Sequence, residues 1–332
     1  MNLVTGGTGL VGAHLLLQLA QNGEAVRALY RNKSTLTKTE NLFKKKNASG
    51  LFSSIEWVKS DVTDVSSLEL AFKGVTHVYH CAALISFDPK DEEQLRKINI
   101  EGTANMVNCS LAFGIQKFCH VSSIAALGDL AKNEVLITEE TEWNAEKPHS
   151  DYAISKFGAE MELWRAQQEG LNCICVNPGV ILDEVSKKSD WTTGSSEIYK
   201  KINNGMYFYA NGSTGFITVE DVAKTMLFLM KSTVVGERYT LISQNVNYKD
   251  FIGWVADALG VKKPSFQVQP WMTEIAWRLD WFLTLILPIK RSLSRAISKS
   301  MHSREQYSNS KIVAVLPFKF ESIQIYCSKV VD

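Results

Sequence analysis

An excess of charge of either sign is missing from this chain. Lys and Arg together number 36 against 35 Asp and Glu, for a formal net charge of +1. The basic residues are scattered rather than gathered on one segment, which leaves no electrostatic footprint for nucleic acid. Cysteine and histidine are sparse, six of each. Cys81, Cys109, Cys119, Cys173, Cys175 and Cys327 sit mostly inside apolar runs at spacings that fit neither a disulfide framework nor a zinc site, so buried reduced thiols are expected. His14, His80 and His120 fall in core-like elements without metal-ligand spacing, and no metal is expected. No uninterrupted apolar run reaches the length that spans a bilayer. Low-complexity linkers and internal repeats are lacking too. The opening MNLVTGG shows neither a basic n-region nor an apolar h-region, so a cytoplasmic location is expected. What is present is 332 residues at 45% hydrophobic content, enough for a large core in one compact body or two interleaved lobes.

Short β-branched runs alternate with helical patterns through the first two thirds. MNLVT, EAVRALY, SIEWVK, HVYHCA, KFCHVSS and NCICVNP read as successive strands. Between them, LVGAHLLLQLAQNG, SSLELAFKG, the stretch 91–114 and the segment from Asp151 carry apolar residues at helical spacing. This order predicts an α/β fold with a doubly wound parallel sheet. After Asp183 the rhythm breaks. The expected organisation is a dinucleotide-binding Rossmann domain over 1–182, to which 216–244 return, and a smaller substrate lobe from 183–215 and 245–332.

TGGTGLVG follows the first strand and opens a helix, the context in which such a motif carries meaning. Gly7, Gly9 and Gly12 satisfy G-x-G-x-x-G, and Gly6, Gly9 and Gly12 a three-spaced version. Glycines there permit a tight turn and close backbone approach, so that a pyrophosphate can sit on amides at a helix N-terminus. An NAD site usually has an acidic residue about 20 positions on. Here the second strand ends VRALYRNKS, with Arg31 where a carboxylate would stand and Lys33 close behind. Cations at that place favour a 2'-phosphate, so NADP is preferred and NAD possible, against the plainer reading of a solvated basic loop. Asp61, in KSDVTD after the third strand, can reach an adenine amino group or simply form a turn.

In DYAISKFGAE, Tyr152 and Lys156 share a helix face because side chains at i and i+4 lie one above the other. A free phenol, with a pKa of about 10, is a poor acid–base group near neutrality. A neighbouring ammonium and a positive nicotinamide ring would bring it down toward working pH. Ser123, at the carboxyl end of the fifth strand, lies where open α/β sheets bind ligands and can donate to a substrate oxygen; Ser122 is the adjacent candidate. A glycine turn, a strand-end serine and the Tyr/Lys pair together point to hydride transfer with Tyr152 as acid/base.

The chain resembles the extended short-chain dehydrogenases/reductases, the NAD-dependent epimerase/dehydratase superfamily. TGGTGLVG, DVTD, HCAA, NIEGT, VSSIAALG, YAISK, NPGVI, FITVEDVA and SNSKIVAVLPFKF fall in that family's order. In pattern it is closest to dihydroflavonol reductase-like and 3β-hydroxysteroid dehydrogenase-like members. The resemblance implies a catalytic set of Ser123, Tyr152 and Lys156, with Lys156 also holding the nicotinamide ribose. It implies cofactor contacts from Gly6, Gly7, Thr8, Gly9, Leu10, Val11 and Gly12, from Arg31, from Asp61 and Val62, and from Cys81, Ala82 and Ala83. Asn99, either supporting the lysine through a water or making a helix polar contact, joins them, as do Asn177, Pro178, Gly179 and Val180. Homodimers are common in the family. Apolar residues on a second face of the helix from Asp151 (Ile154, Phe157, Met161, Trp164), and on two faces of the helix around 91–113, lead to the same expectation.

One departure bears on the substrate. Nucleotide-sugar members usually carry an Arg-Asp pair just before the F-x-x-V-x-D segment; here Thr214 and Gly215 stand there. Without that fork of donors a diphosphate is poorly held. The expectation is therefore an oxidoreductase acting on the carbonyl, or the matching alcohol, of a mostly apolar small molecule. A sugar-nucleotide epimerase or dehydratase that retains NAD, and a non-catalytic dinucleotide sensor, are the alternatives. Trp191, Tyr199, Tyr207, Phe208 and Tyr209 would wall the substrate pocket. In 271–289, Trp271, Ile275, Leu279, Phe282 and Ile286 form a helical stripe, followed by Lys290, Arg291 and Arg295; Glu274, Arg278 and Asp280 interrupt it, so it does not span a membrane. Packing as a wall or lid of the lobe is expected, with attachment to a membrane surface as the alternative.

Overall fold

A computed structural model describes residues 1–132, 134–183, 196–286 and 293–329. Its strands, in chain order, are β1 (Asn2–Thr5), β2 (Val26–Tyr30), β3 (Glu56–Lys59), β4 (His77–His80), β5 (Lys117–Val121), β6 (Cys173–Pro178), β7 (Val180–Leu182), β8 (Phe208–Tyr209), β9 (Ser213–Thr218), β10 (Glu237–Leu241), β11 (Gln244–Asn247) and β12 (Phe266–Gln267). Seven form one sheet in the order β3-β2-β1-β4-β5-β6-β10, every neighbour parallel. Successive residues of a strand point to opposite faces, and here they feed two separate cores. Val4, Cys119, Ile174 and Val176 pack with helices Leu10–Gln21 and Val219–Lys231. Leu3, Phe118, Cys173 and Cys175 pack with helices Val65–Phe72, Gly102–Ala112 and Asp151–Gln168. This is the doubly wound arrangement. Its strand order reverses between β1 and β4, where such sheets open a crevice at their carboxyl ends.

The stretch 91–114, read as one continuous helix, has a break in its winding. An α-turn at Glu92–Leu95 passes into a π-helical turn at Arg96–Glu101 before the α-helix Gly102–Ala112. The turn is packed closely on both sides. A Cβ at Gly102 would lie 2.7 Å from Val62 Cγ2, and one at Gly158 would lie 2.6 Å from Ile100 Cδ1. Single π-turns of this kind frequently mark functional positions, and this one carries Asn99.

The remaining strands build a second, smaller layer. β7 and β9 are parallel, β9 and β11 antiparallel, and β8 pairs with β12. Residues 216–218 thus pair in the small sheet, whereas the helix that follows them and β10 belong to the large one. Tyr199, Phe216, Phe251 and Tyr326 fill the small core.

The helix Pro270–Ile286 departs from the expected lobe packing. Trp271 is 61% exposed, Phe282 53% and Ile286 63%. Helical periodicity shows that apolar residues share a face; it does not show that anything covers that face. No helix among the described residues is long and apolar enough to cross a membrane.

Candidate active site

The site begins at the turn after β1. Gly6 has a φ of +66°, a left-handed conformation that strains residues with a side chain, and a Cβ there would lie 2.8 Å from the backbone of Cys81 and Ala82. A Cβ at Gly12 would fall 2.2 Å from Gly6 O. The turn is therefore folded against its own helix and against the end of β4. Gly9 is the N-cap and offers no side-chain acceptor, which leaves first-turn amides facing the crevice for an anion. Thr8, Arg31, Asn32 and Thr35 line a cavity of about 290 Å³ beside the turn. Asn32 caps the short turn Lys33–Thr35, and among the described residues no carboxylate pairs with Arg31. A cradle closed to side chains and a free guanidinium next to it fit a phosphorylated dinucleotide. Asp61 makes the turn that was one of its two readings, its Oδ1 accepting from the Thr63 amide and hydroxyl, each at 2.9 Å.

From the end of β4 a buried polar chain runs to the π-turn. The Ala82 amide donates to Thr5 Oγ1 at 3.1 Å, and that hydroxyl lies 2.8 Å from His80 Nδ1. His80 Nε2 then lies 3.1 Å from Thr103 Oγ1, which donates to the Asn99 carbonyl at 2.6 Å. Because the one proton of the Thr103 hydroxyl goes to the Asn99 carbonyl, His80 Nε2–H donates to that hydroxyl, and the neutral ring's Nδ1 accepts from Thr5. Burial holds His80 neutral by pushing its pKa down to about 3. Asn99 is 1% exposed. Its side chain accepts from the Leu84 amide at 2.7 Å and donates to the Leu84 carbonyl and to Ser155 Oγ, both at 2.9 Å. It therefore fastens the loop after β4 to the helix Asp151–Gln168, the helix polar contact of its two readings.

That helix starts on Ser150, whose hydroxyl accepts from the Ala153 amide at 3.1 Å. Tyr152, Lys156 and Glu160, at i, i+4 and i+8, form its inward stripe, and all three are buried. Burial pushes the Tyr152 phenol up, opposed by the adjacent Ser123 hydroxyl, so its direction is opposite to the lowering expected from Lys156. Phe87 packs edge-on to the phenol ring at 5.6 Å. The Lys156 ammonium donates to the Val121 carbonyl at 2.8 Å. Burial brings its pKa down to about 8, while Cys175, Glu160 and Cys81 act in the other direction. The structure separates the two serines: Ser123 lies with Tyr152, and Ser122 lies beside Glu160 without a well-directed hydrogen bond.

Sequence reading missed Glu160, although its place one turn beyond Lys156 was a visible signal. Burial raises its carboxyl pKa, opposed first by Ser122 and then by Arg238, Asn177 and Lys156. Asn177 Nδ2 donates to Glu160 Oε1 at 2.6 Å and to the Ser123 carbonyl at 3.0 Å. Arg238, from β10, lies 3.4 Å from the other carboxylate oxygen and also donates to the Glu139 carbonyl at 2.8 Å. These contacts tie the ends of β5, β6 and β10 together behind Lys156.

Of the other residues named from sequence, Pro178 ends β6 and Val180 is exposed on β7. A Cβ at Gly179 would lie 2.3 Å from Gly215 O, and one at Gly215 2.4 Å from Ile242 Cγ2, so the position of the missing acidic partner has no room for a side chain. Tyr199 is not a pocket wall: it is fully buried in the small core, its ring 6.4 Å from Phe251. Tyr207 and Phe208 are exposed. Trp191 lies outside the described residues, as do Lys290 and Arg291. All six cysteines are free, Cys81 half-buried and the rest buried. Among the described residues no group of three His, Cys, Asp or Glu side chains could hold a metal.

A Synechocystis sp. protein named as a dihydroflavonol 4-reductase is 30% identical over 97% of this chain and 90% of its own length. An anthocyanidin reductase of Arabidopsis thaliana is 27% identical over 80% of this chain and 81% of its own. Among solved structures, gox2253 superposes with a TM-score of 0.80 at 25% identity, covering 99% of this chain and 96% of its own. The UDP-glucose 4-epimerase of Thermotoga maritima superposes with a TM-score of 0.76 over 99% of this chain and 97% of its own; at 18% identity it speaks for the fold alone. The model of the NAD dependent epimerase/dehydratase family matches residues 2–241. With the glycine cradle, the parallel sheet and the strand-end residues in place, this chain belongs to the NAD dependent epimerase/dehydratase family.

Proposed function

We propose that the protein is an NADP-preferring oxidoreductase that reduces a carbonyl, or oxidises the matching alcohol, on a mostly apolar small molecule. The observation that carries this reading is the convergence of Ser123, Tyr152 and Lys156 at the carboxyl end of β5, Ser123 beside the phenol and the Lys156 ammonium on the Val121 carbonyl. When bound, the nicotinamide supplies or accepts the hydride. Ser123 orients the substrate oxygen by hydrogen bonding. Tyr152, kept protonated by its burial, delivers its proton to that oxygen as negative charge develops there. Lys156 holds the cofactor ribose and provides the positive charge that stabilises the phenolate left behind. Arg31 reads the 2'-phosphate. Phe87 and Ile85, exposed at the mouth of the crevice, offer apolar contact to the substrate.

The apolar substrate class is supported by Thr214 and Gly215, which leave no donor fork for a diphosphate. It is also supported by the relatives, whose names describe reductases of flavonoid-type aromatic compounds. The two lobes, 1–182 with 216–244 and 183–215 with 245–332, would close over the substrate. Free thiols fit a reducing cytoplasm, and the enzyme works there as a homodimer.

The test is a panel of aromatic and aliphatic ketones and aldehydes with NADPH, run beside Tyr152→Phe. Turnover of a hydrophobic carbonyl, lost by about 100-fold or more in the variant while NADPH binding persists, supports the assignment. The same ligands should raise the melting temperature with NADP(H) present, and UDP or dTDP should not. NAD carried through purification, with epimerised UDP-hexose formed without added cofactor, would overturn it. A Tyr152→Phe enzyme with unchanged turnover would also do so.

A further inference from the structure

The helix Pro270–Ile286 is turned the opposite way from an ordinary surface helix. Thr273 and Asp280 face inward. Thr273 is 4% exposed and shares a hydrogen bond of 2.9 Å with His302 Nε2, while the Asp280 carboxylate accepts from the Leu293 amide at 3.0 Å. Its outer face carries Trp271, Ile275, Leu279, Phe282, Leu283 and Ile286, each between 44% and 63% exposed. At 3.6 residues per turn these six lie within an arc of about 120° with no charge among them. The strand pair just before the helix continues the exposure, since Phe266 and its register partner Phe208 are 45% and 49% exposed. A contiguous apolar face of this kind marks an interaction site.

Charge identifies the occupant. Residues 281–304 contain Lys290, Arg291, Arg295, Lys299 and Arg304 and no Asp or Glu. Arg295 and Lys299 are exposed one turn apart on helix Arg295–Ser300, which packs against the apolar helix. The acidic residues of the apolar helix are already engaged. Glu274 binds Arg278 at 2.6 Å, and Asp280 binds the backbone at Leu293. A second copy of this surface would offer apolar area but no carboxylates for the cations, whereas anionic headgroups over acyl chains satisfy both. Glu274, Arg278 and Asp280 rule out a span, and Trp271, at the edge of the apolar arc, supplies an indole ring suited to the headgroup boundary.

We propose that helix Pro270–Ile286 lies in the plane of an anionic lipid surface, its apolar face inserted and Arg295 and Lys299 on the headgroups, and so docks the protein peripherally on a membrane. An apolar face plus a cationic patch provides the two signals that stable peripheral attachment requires. This inference does not depend on the reaction the active site performs.

The experiment is flotation of the full chain with vesicles of mixed phosphatidylglycerol and phosphatidylcholine, and with vesicles of phosphatidylcholine alone. The protein should float with the mixed vesicles, less as salt is raised, and weakly or not at all with the neutral ones. Leu279→Asp/Phe282→Asp should lower partitioning by about tenfold or more. Arg295→Glu/Lys299→Glu, which leaves the apolar face intact, should remove the preference for anionic lipid. An unchanged circular-dichroism spectrum and cooperative thermal melt in both variants show that they remain folded. Wild-type protein that stays unbound with both vesicle types would overturn the proposal, as would variants that float as well as wild type. Loss of oligomer mass by Leu279→Asp/Phe282→Asp in lipid-free buffer would assign the face to a second copy instead.

Discussion

Glu160 stands one helical turn beyond Lys156 and, like it, is shut off from solvent, with the carboxylate helping to keep the ammonium charged. The lysine is nevertheless pulled from its ordinary 10.5 to about 8 by burial. Below about pH 8 it is protonated in both the folded and the unfolded chain, and its burial is a constant cost. Between about 8 and 10.5 the unfolded chain binds a proton that the folded chain has released, so this residue's contribution to stability rises with pH through that window. The full rise is about 3 kcal/mol. Urea melts at the two ends of the window should show wild type gaining on Lys156→Met by an amount of that order. In Glu160→Gln the gain should begin at lower pH, because the carboxylate no longer supports the charge. Equal pH slopes for wild type and Lys156→Met would contradict this account.

Arg31 borders the cavity with Thr8, Asn32 and Thr35 and meets no carboxylate among the described residues. If its guanidinium reads a 2'-phosphate, Arg31→Ala loses a hydrogen bond to a charged group and weakens NADPH binding by about 1.5 to 3 kcal/mol. NADH binding should hardly change. Titration calorimetry with the two cofactors separates these outcomes, and equal losses would place the phosphate elsewhere.

How much of this was legible in the sequence depended on whether the determinant was local. The glycine turn and the Tyr152/Lys156 pair are set within a dozen residues by backbone geometry and helical spacing, and the structure folds the one tightly and puts the other on one helix face. The support behind them is not local. Arg238 reaches Glu160 across 78 positions, and His80 meets Thr5 across 75, so no window reveals either contact. The π-turn at Arg96–Glu101 packs closely on Gly158 through Ile100, a contact that periodicity does not register. Tyr199 and the helix from Pro270 failed in opposite directions for one reason: an aromatic or apolar side chain shows a preference for contact without specifying whether the partner is a core, a ligand or an external surface.

Asn99 uses its side-chain amide to hold the loop after β4 to the helix Asp151–Gln168, through Leu84 on one side and Ser155 on the other. Asn99→Ala would leave the half-buried Leu84 amide and carbonyl without their side-chain partner, a loss of at most about 1–3 kcal/mol for each group left unsatisfied. Stability should fall, and amide exchange should accelerate first in residues 81–88. Because Phe87 sits on the Tyr152 ring from that loop, KM for an apolar substrate should rise more than kcat falls. Exchange that speeds up evenly across the sheet would show that Asn99 is only a core residue.

The last expectation concerns the outer face of the helix Asp151–Gln168. Trp143 stacks on Phe157 at 4.4 Å between ring centres, and these two rings with Met161 and Trp164 line a surface groove of about 390 Å³. Met161 is 42% exposed, whereas Tyr152, Lys156 and Glu160 on the inner stripe are buried, so the helix has a second apolar face that its own chain leaves uncovered. The lining carries both signs, Glu140 and Glu142 together with Arg238. A two-fold axis through such a face can set each copy's cation against the other's carboxylates while the apolar centres meet. Light scattering should therefore report a dimer at micromolar concentration, and Met161→Asp should convert it to a folded monomer that still binds NADPH. A monomeric wild type, or a Met161→Asp dimer as tight as wild type, would place the contact elsewhere or remove it.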